Sequence, residues 1–257
     1  MPEGHTIHRL AGNLEELIGP SLSVSSPQGK FPGARTFNRK RLRGTAALGK
    51  HLLLYFDPGI IHIHLGLAGK FVRIQPLRPP ALQVRMRLST AEVAWDLLAP
   101  NICEVWGEDD VEKLRSRLGP DPLDPEADPE RVWQVLERFS GPIGAALLDQ
   151  SVIAGVGNVY RAEVLLEAGV HPARPAFEVS REEFDVLWAS LRTRMAKGME
   201  DGRIITVDTP EGFDRSSLPE AEARYLYKQP NCRRCGAPVE VSTVGGRTAY
   251  ACPREQS

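Results

Sequence analysis

The run Gly119-Pro120-Asp121-Pro122-Leu123-Asp124-Pro125 constrains this chain more than any other stretch. Prolines spaced this closely fit neither a helix interior nor a central strand, so the run reads as a connector between two differently built halves. Before it, apolar residues alternate with others at Leu52, Leu54 and Phe56, at Ile61, Ile63 and Leu65, and at Val84, Met86 and Leu88, with turn chemistry at Asp57-Pro58-Gly59. That pattern predicts a β-sandwich of short strands. One helix precedes it, carried by Ile7, Leu10, Leu14, Leu17 and Ile18 and stopped by Gly19-Pro20. After the connector the period becomes helical. Val132, Val135, Leu136 and Phe139 form one stripe; Phe184, Leu187, Trp188, Leu191 and Met195 form another, opened by a capping box from Ser180 to Glu183. The segment Asp201 to Glu222, rich in glycine, proline and acids, reads as a lid or as disorder.

The chemistry sits at the other end of the chain. If Met1 is removed, the mature chain begins with the secondary amine of Pro2, and α-amino groups titrate near ~8, far below a lysine. Such an amine attacks electrophilic carbon, and Glu3 beside it can protonate a leaving group and later accept a proton. His5 and His8 are expected on the solvated side of the first helix. His62 and His64 share a strand face without a third ligand close by in sequence and are read as structural; Cys103 is read as a buried thiol.

Two further stretches carry signals. In Asp149 to Glu163 an apolar helix runs into a turn at Gly155-Val156-Gly157, and a second helix starts near Asn158. The turn either brings backbone N-H groups and the Asn158 amide to a phosphate or simply packs two helices. At the C-terminus, Cys232-x2-Cys235 is followed by Cys252-x2-Glu255, with strand residues and a Val244-Gly245-Gly246-Arg247 turn between. This is either a zinc-bound hairpin with Cys232, Cys235, Cys252 and Glu255 as ligands, or a metal-free hairpin. Arg247 at its tip is a candidate phosphate clamp.

Net charge is only -1, yet Ser21 to Phe56 holds no acidic residue while Lys30, Arg35, Arg39, Lys40, Arg41, Arg43 and Lys50 fall there. A basic face suits a polyanion. No apolar run is long enough for a membrane span and no signal-peptide layout is present, so a cytoplasmic protein is expected.

Jointly, Met1-Pro2-Glu3-Gly4, Lys50 in Leu48-Gly49-Lys50-His51, His64-Leu65-Gly66-Leu67-Ala68-Gly69, Asp149-Gln150 through Asn158, and the hairpin with Arg247 resemble the formamidopyrimidine-DNA glycosylase/endonuclease VIII family, closest to its endonuclease VIII-like branch. The resemblance implies an α+β multidomain chain. Its parts are an N-terminal catalytic β-sandwich (1–118), a helix-two-turn-helix DNA-binding domain (119–225) and a zinc-finger hairpin (226–257), with damaged double- or single-stranded DNA between them. It implies a monomeric base-excision-repair glycosylase and AP lyase that removes oxidised bases, the branch pointing to pyrimidines, through a Schiff base on Pro2. Glu3 is then acid and base; Lys50, Asn158 and Arg247 hold phosphates; Leu67 fills the vacated stack; Gln150 belongs to the DNA-binding turn. The other reading is a DNA-binding protein of this fold that has lost turnover. Ala68 and Glu255 depart from the family pattern, where the branch often has an aromatic and the finger a fourth cysteine.

Overall fold

The computed structural model describes residues 2–257, so the Met1 removal discussed above lies outside the described residues. The chain forms two compact units that divide between Ser116 and Arg117.

The first unit opens with α1 (Gly4–Leu14), which buries Ile7, Leu10, Ala11 and Leu14. There follow β1 (Ser21–Ser25), the single turn α2 (Ala34–Phe37), β2 (Lys40–Leu48), β3 (His51–Phe56), β4 (Gly59–His64), β5 (Lys70–Ile74), β6 (Val84–Ser89), β7 (Ala94–Leu98), β8 (Ile102–Trp106) and α3 (Glu108–Arg117). The strands pair antiparallel in the order β5-β7-β6-β1-β2-β3-β4-β8. β1 is the seam: Ser21 and Leu22 pair with β2, Ser23 to Ser25 with β6. One strand thus serves both layers, and their inner faces close on one core with α1. Leu52, Leu54, Ile61 and Ile63 come from one layer and Met86, Leu88, Trp95 and Leu97 from the other. The alternation read from sequence is correct for that face, yet Leu53 and Ile60 on the opposite face are buried too, packed with Val111 of α3. Thr45 Oγ1 donates to the Ala11 carbonyl at 2.8 Å and ties α1 to β2.

The second unit holds α4 (Pro129–Leu136), the single turn α5 (Ile143–Ala146), α6 (Asn158–Glu167), α7 (Arg181–Asp201), and the hairpin β9 (Glu240–Val244) with β10 (Arg247–Ala251). Asp128 caps α4 ahead of Pro129, and the predicted capping box of Ser180 and Glu183 opens α7. α6 packs on α7 and on β10.

The segment after Asp201, expected as a lid or as disorder, has an ordered base. Thr206 N donates to the Ala223 carbonyl at 2.8 Å and closes the loop at its base. Arg215 grips both Asp201 carboxylate oxygens at 2.9 to 3.2 Å. The buried Glu163 carboxylate of α6 accepts from Thr206 Oγ1 and from the backbone N-H groups of Tyr225, Leu226 and Tyr227 at 2.5 to 2.9 Å. Composition suggested few apolar anchors in this loop, yet Ile205, Val207 and Ala223 are buried together with Leu218 and Tyr225 packed against them, beside these polar bonds. Among the described residues no helix is long and apolar enough to cross a membrane.

Candidate active site

Glu3 stands at the N-cap of α1 in extended backbone, its carbonyl accepting from Thr6 N at 2.9 Å. Its side chain is 0% exposed. A carboxylate buried at the positive end of a helix sits where the dipole offsets part of its desolvation, and the preceding Pro2 is half-buried beside it. The chain therefore enters its core through the two residues whose chemistry stood out.

His5 corrects an expectation. It is 2% exposed, not solvated, and its Nε2 lies 3.1 Å from Thr6 Oγ1. Burial, joined by nearby positive charge including Arg9, pushes its pKa down to about 4, so the imidazole is neutral at pH 7. Helical spacing did not show this, because His5 lies outside the Ile7-Leu10-Leu14 stripe.

Lys50 sits in the two-residue turn joining β2 to β3, where Leu48 pairs with His51 and Gly49 takes φ 56°. His64 ends β4 and precedes the connecting turn to β5 that carries Leu67. Gly69 N donates to the Leu65 carbonyl at 3.1 Å, and a Cβ at Gly69 would lie 2.3 Å from that oxygen. Only glycine closes this turn, which leaves Leu67 70% exposed. His64 Nδ1 is buried with no hydrogen-bond partner, and burial, then the Lys50 charge, lowers its pKa. Cys103, expected as a buried thiol, is only half-buried against the core, and burial pushes its thiol pKa up to about 12.

In the second unit, Gln150 spends its amide on the turn itself. Its Nε2 donates to the carbonyls of Leu148 and Val156 at 2.9 and 3.1 Å, and its Oε1 accepts from Gly155 N at 3.0 Å. It shapes the loop before α6. Asn158, the first residue of α6, donates through Nδ2 to the Thr248 carbonyl at 2.9 Å, while its Oδ1 is buried without a partner. One turn further along α6, Arg161 is a residue the sequence did not single out. It is 1% exposed and donates to the carbonyls of Gly144, Val244 and Thr248 at 3.1, 3.2 and 2.5 Å. These bonds fasten both strands of the hairpin to the helices. Gly245 and Gly246 turn with φ 60° and 72°, and a Cβ on Gly245 would lie 2.7 Å from that of Ala145. Arg247 stands exposed at this fixed tip.

The Sγ atoms of Cys232, Cys235 and Cys252 lie within 4.8 Å of one another, those of Cys235 and Cys252 at 3.4 Å. Three thiols so placed suit one tetrahedral metal. Glu255, expected as the fourth ligand, is not part of this group, and its side chain is exposed. The tail does not leave it free to swing in. Gln256 is buried, accepting from Cys252 N and donating to the Val170 carbonyl, both at 2.7 Å, and Ser257 pairs with Gly169 and His171.

Comparison with known proteins agrees with this layout. The family description "Formamidopyrimidine-DNA glycosylase N-terminal domain" matches residues 1–96, and "Formamidopyrimidine-DNA glycosylase H2TH domain" matches residues 118–209. The chain is 41% identical to "Endonuclease 8 1" of Mycobacterium tuberculosis (strain ATCC 25618 / H37Rv), covering 98% of each protein. It is 29% identical to "Formamidopyrimidine-DNA glycosylase" of Thermomicrobium roseum over 100% of this chain and 98% of that one. The fold is also that of Lactococcus lactis Fpg solved in complex with abasic-site DNA, with a TM-score of 0.82, 21% identity and 99% of each chain covered. The chain belongs to the formamidopyrimidine-DNA glycosylase/endonuclease VIII family.

Proposed function

We propose that this chain is a base-excision DNA glycosylase with AP lyase activity, acting through Pro2 on a damaged nucleotide turned out of the helix. The observation that carries the reading is the Glu3 carboxylate, fully buried at the start of α1 next to an N-terminal proline, in a chain whose relatives are endonuclease 8 and formamidopyrimidine-DNA glycosylases. The Pro2 nitrogen forms a bond to C1' while the glycosidic bond breaks and its electron pair leaves with the base. A proton from the Glu3 carboxyl neutralises the departing group or the ring oxygen, and the sugar opens to an iminium on Pro2. Loss of a C2' proton to a base such as the Glu3 carboxylate then expels the 3' phosphate oxygen, and a second elimination expels the 5' one.

The remaining residues hold the backbone. Lys50 and the buried Nδ1 of His64 offer donors on the first unit; Arg247 and Asn158 do so on the second. Leu67, exposed on a closed turn, fills the space left by the displaced nucleotide. Cys232, Cys235 and Cys252 would hold a zinc ion, which would supply folding free energy to the hairpin and no step of the reaction. The lesion class we infer, from the resemblance to the endonuclease VIII-like branch, is oxidised pyrimidine.

The test is borohydride trapping on abasic duplex DNA. A covalent adduct at the Pro2-containing terminal peptide is expected. A chain that binds abasic DNA with no adduct and no strand cleavage is a binding protein instead.

A further inference from the structure

Two histidines not assigned to the chemistry above, His51 and His62, meet on the outer face of β3 and β4 beside His64. The register places His51 opposite His64, and His62 opposite Glu104 of β8. His62 Nδ1 lies 3.3 Å from Glu104 Oε1, and His62 Nε2 lies 2.9 Å from His51 Nδ1. Trp106 donates through Nε1 to the same Glu104 oxygen at 2.8 Å, and its ring stacks on His62 with centroids 3.6 Å apart. His62 is 1% exposed, so it is fixed on both edges and on one face.

Counting protons assigns the tautomers. An ionised carboxylate only accepts, so His62 carries its hydrogen on Nδ1. Burial pushes the His62 pKa down to about 4, partly countered by Glu104, and the ring is neutral at pH 7. Its Nε2 then has only a lone pair to offer, and the hydrogen in the His51 contact must come from His51 Nδ1. His51 is thereby held in the less common tautomer of free imidazole, with Nε2 as acceptor. The residue so fixed directly follows Lys50 and closes its turn through pairing with Leu48. The His51 ring is also 5.1 Å from that of His64, the other donor at this corner.

We propose that Glu104 and His62 are positioning residues for Lys50: they lock the ring of His51 in one plane and one tautomer, and the locked ring holds the Gly49-Lys50 turn ready for a DNA phosphate. The inference rests on the reading of Lys50 as a phosphate contact. Its physical basis is preorganisation, since a turn already held in its bound geometry loses less freedom when the phosphate arrives. Neither positioning residue needs to touch DNA.

The test uses the full-length protein with nitrogen-15 NMR of its imidazoles and with DNA binding. In the native chain His51 and His62 should both appear as Nδ1-H tautomers. His62→Phe keeps a ring against Trp106 and removes both nitrogens; His51 should revert to the Nε2-H form. Affinity for duplex carrying a reduced abasic site should fall about tenfold, the size of one weakened charge-assisted contact. The single-turnover rate at saturating DNA should stay within about twofold, since truncated positioning that affects binding alone leaves the bound reaction unaltered. Glu104→Gln retains the accepting oxygen and should stay close to native in both measurements. A native His51 in the Nε2-H form overturns the relay, and this reading needs no variant to fold. A tautomer switch in His62→Phe with unchanged affinity overturns the link to Lys50. If Lys50→Ala also leaves affinity unchanged, the phosphate reading itself fails.

Discussion

Arg161 donates to the Thr248 carbonyl at 2.5 Å, and Thr248 is the residue after Arg247. A buried guanidinium thus sets the backbone from which the proposed phosphate clamp projects. Arg161→Lys keeps the charge but cannot reach three carbonyls at once. It should destabilise the second unit by about 2–3 kcal/mol, the scale of lost charge-assisted bonds. DNA binding should weaken as in Arg247→Ala, with the salt dependence reduced by about one counterion. Denaturant unfolding and a salt titration check both; an unaltered salt slope in Arg161→Lys and Arg247→Ala would remove the hairpin tip from the DNA contact.

Catalysis should depend on a free Pro2 nitrogen. Retained Met1, or any N-terminal extension, makes that nitrogen an amide with no nucleophilic lone pair. Such a chain should bind abasic DNA normally yet give no borohydride adduct and no strand cleavage. Glu3→Gln preserves the size of the buried side chain but not its proton transfer, and base release should slow by about 10²–10⁴-fold.

Elemental analysis of the purified protein should find zinc, lost in Cys252→Ser. Glu255→Ala should retain the metal and stay within about 0.5 kcal/mol of native stability, because the side chain is exposed and outside the thiol cluster. Loss of zinc in Glu255→Ala would restore the carboxylate as a ligand.

Stability should fall with acid before the carboxylates titrate. His5 and His62 have folded pKa values of about 4, below the unfolded value of 6.5. Between those values the unfolded chain binds more protons, so stability is full above pH 6.5 and declines as pH falls toward 4. Each buried imidazole is expected to contribute about 3 kcal/mol across that window. Unfolding at pH 5 should therefore take up about one proton fewer in His62→Phe than in the native chain. Equal pH slopes for the two proteins would mean that His62 is protonated in the fold.

Short-range features were legible in the residues alone. Pro2 beside Glu3, Cys232 three residues from Cys235, the capping box of Ser180 and Glu183, and the connector at Pro120 are local, since each depends on neighbours in the chain. The alternation in β3 and β4 likewise gave the inner face of the sandwich, because strand period and burial follow one another there. What lay outside local pattern was decided by packing. His5 is off the apolar stripe and is nonetheless buried. Arg161 reads as a surface cation in a helix, yet the carbonyls it satisfies belong to Gly144, Val244 and Thr248, far away in sequence. Glu255 has the spacing of a ligand, but Gln256 and Ser257 pin the tail by bonds to Val170, Gly169 and His171. His62 found its partners on two other strands, His51 and Glu104. Sequence determined which groups carry the chemistry and where the chain turns. Tertiary structure decided which polar groups are removed from water, and burial sets their charge, tautomer and partners.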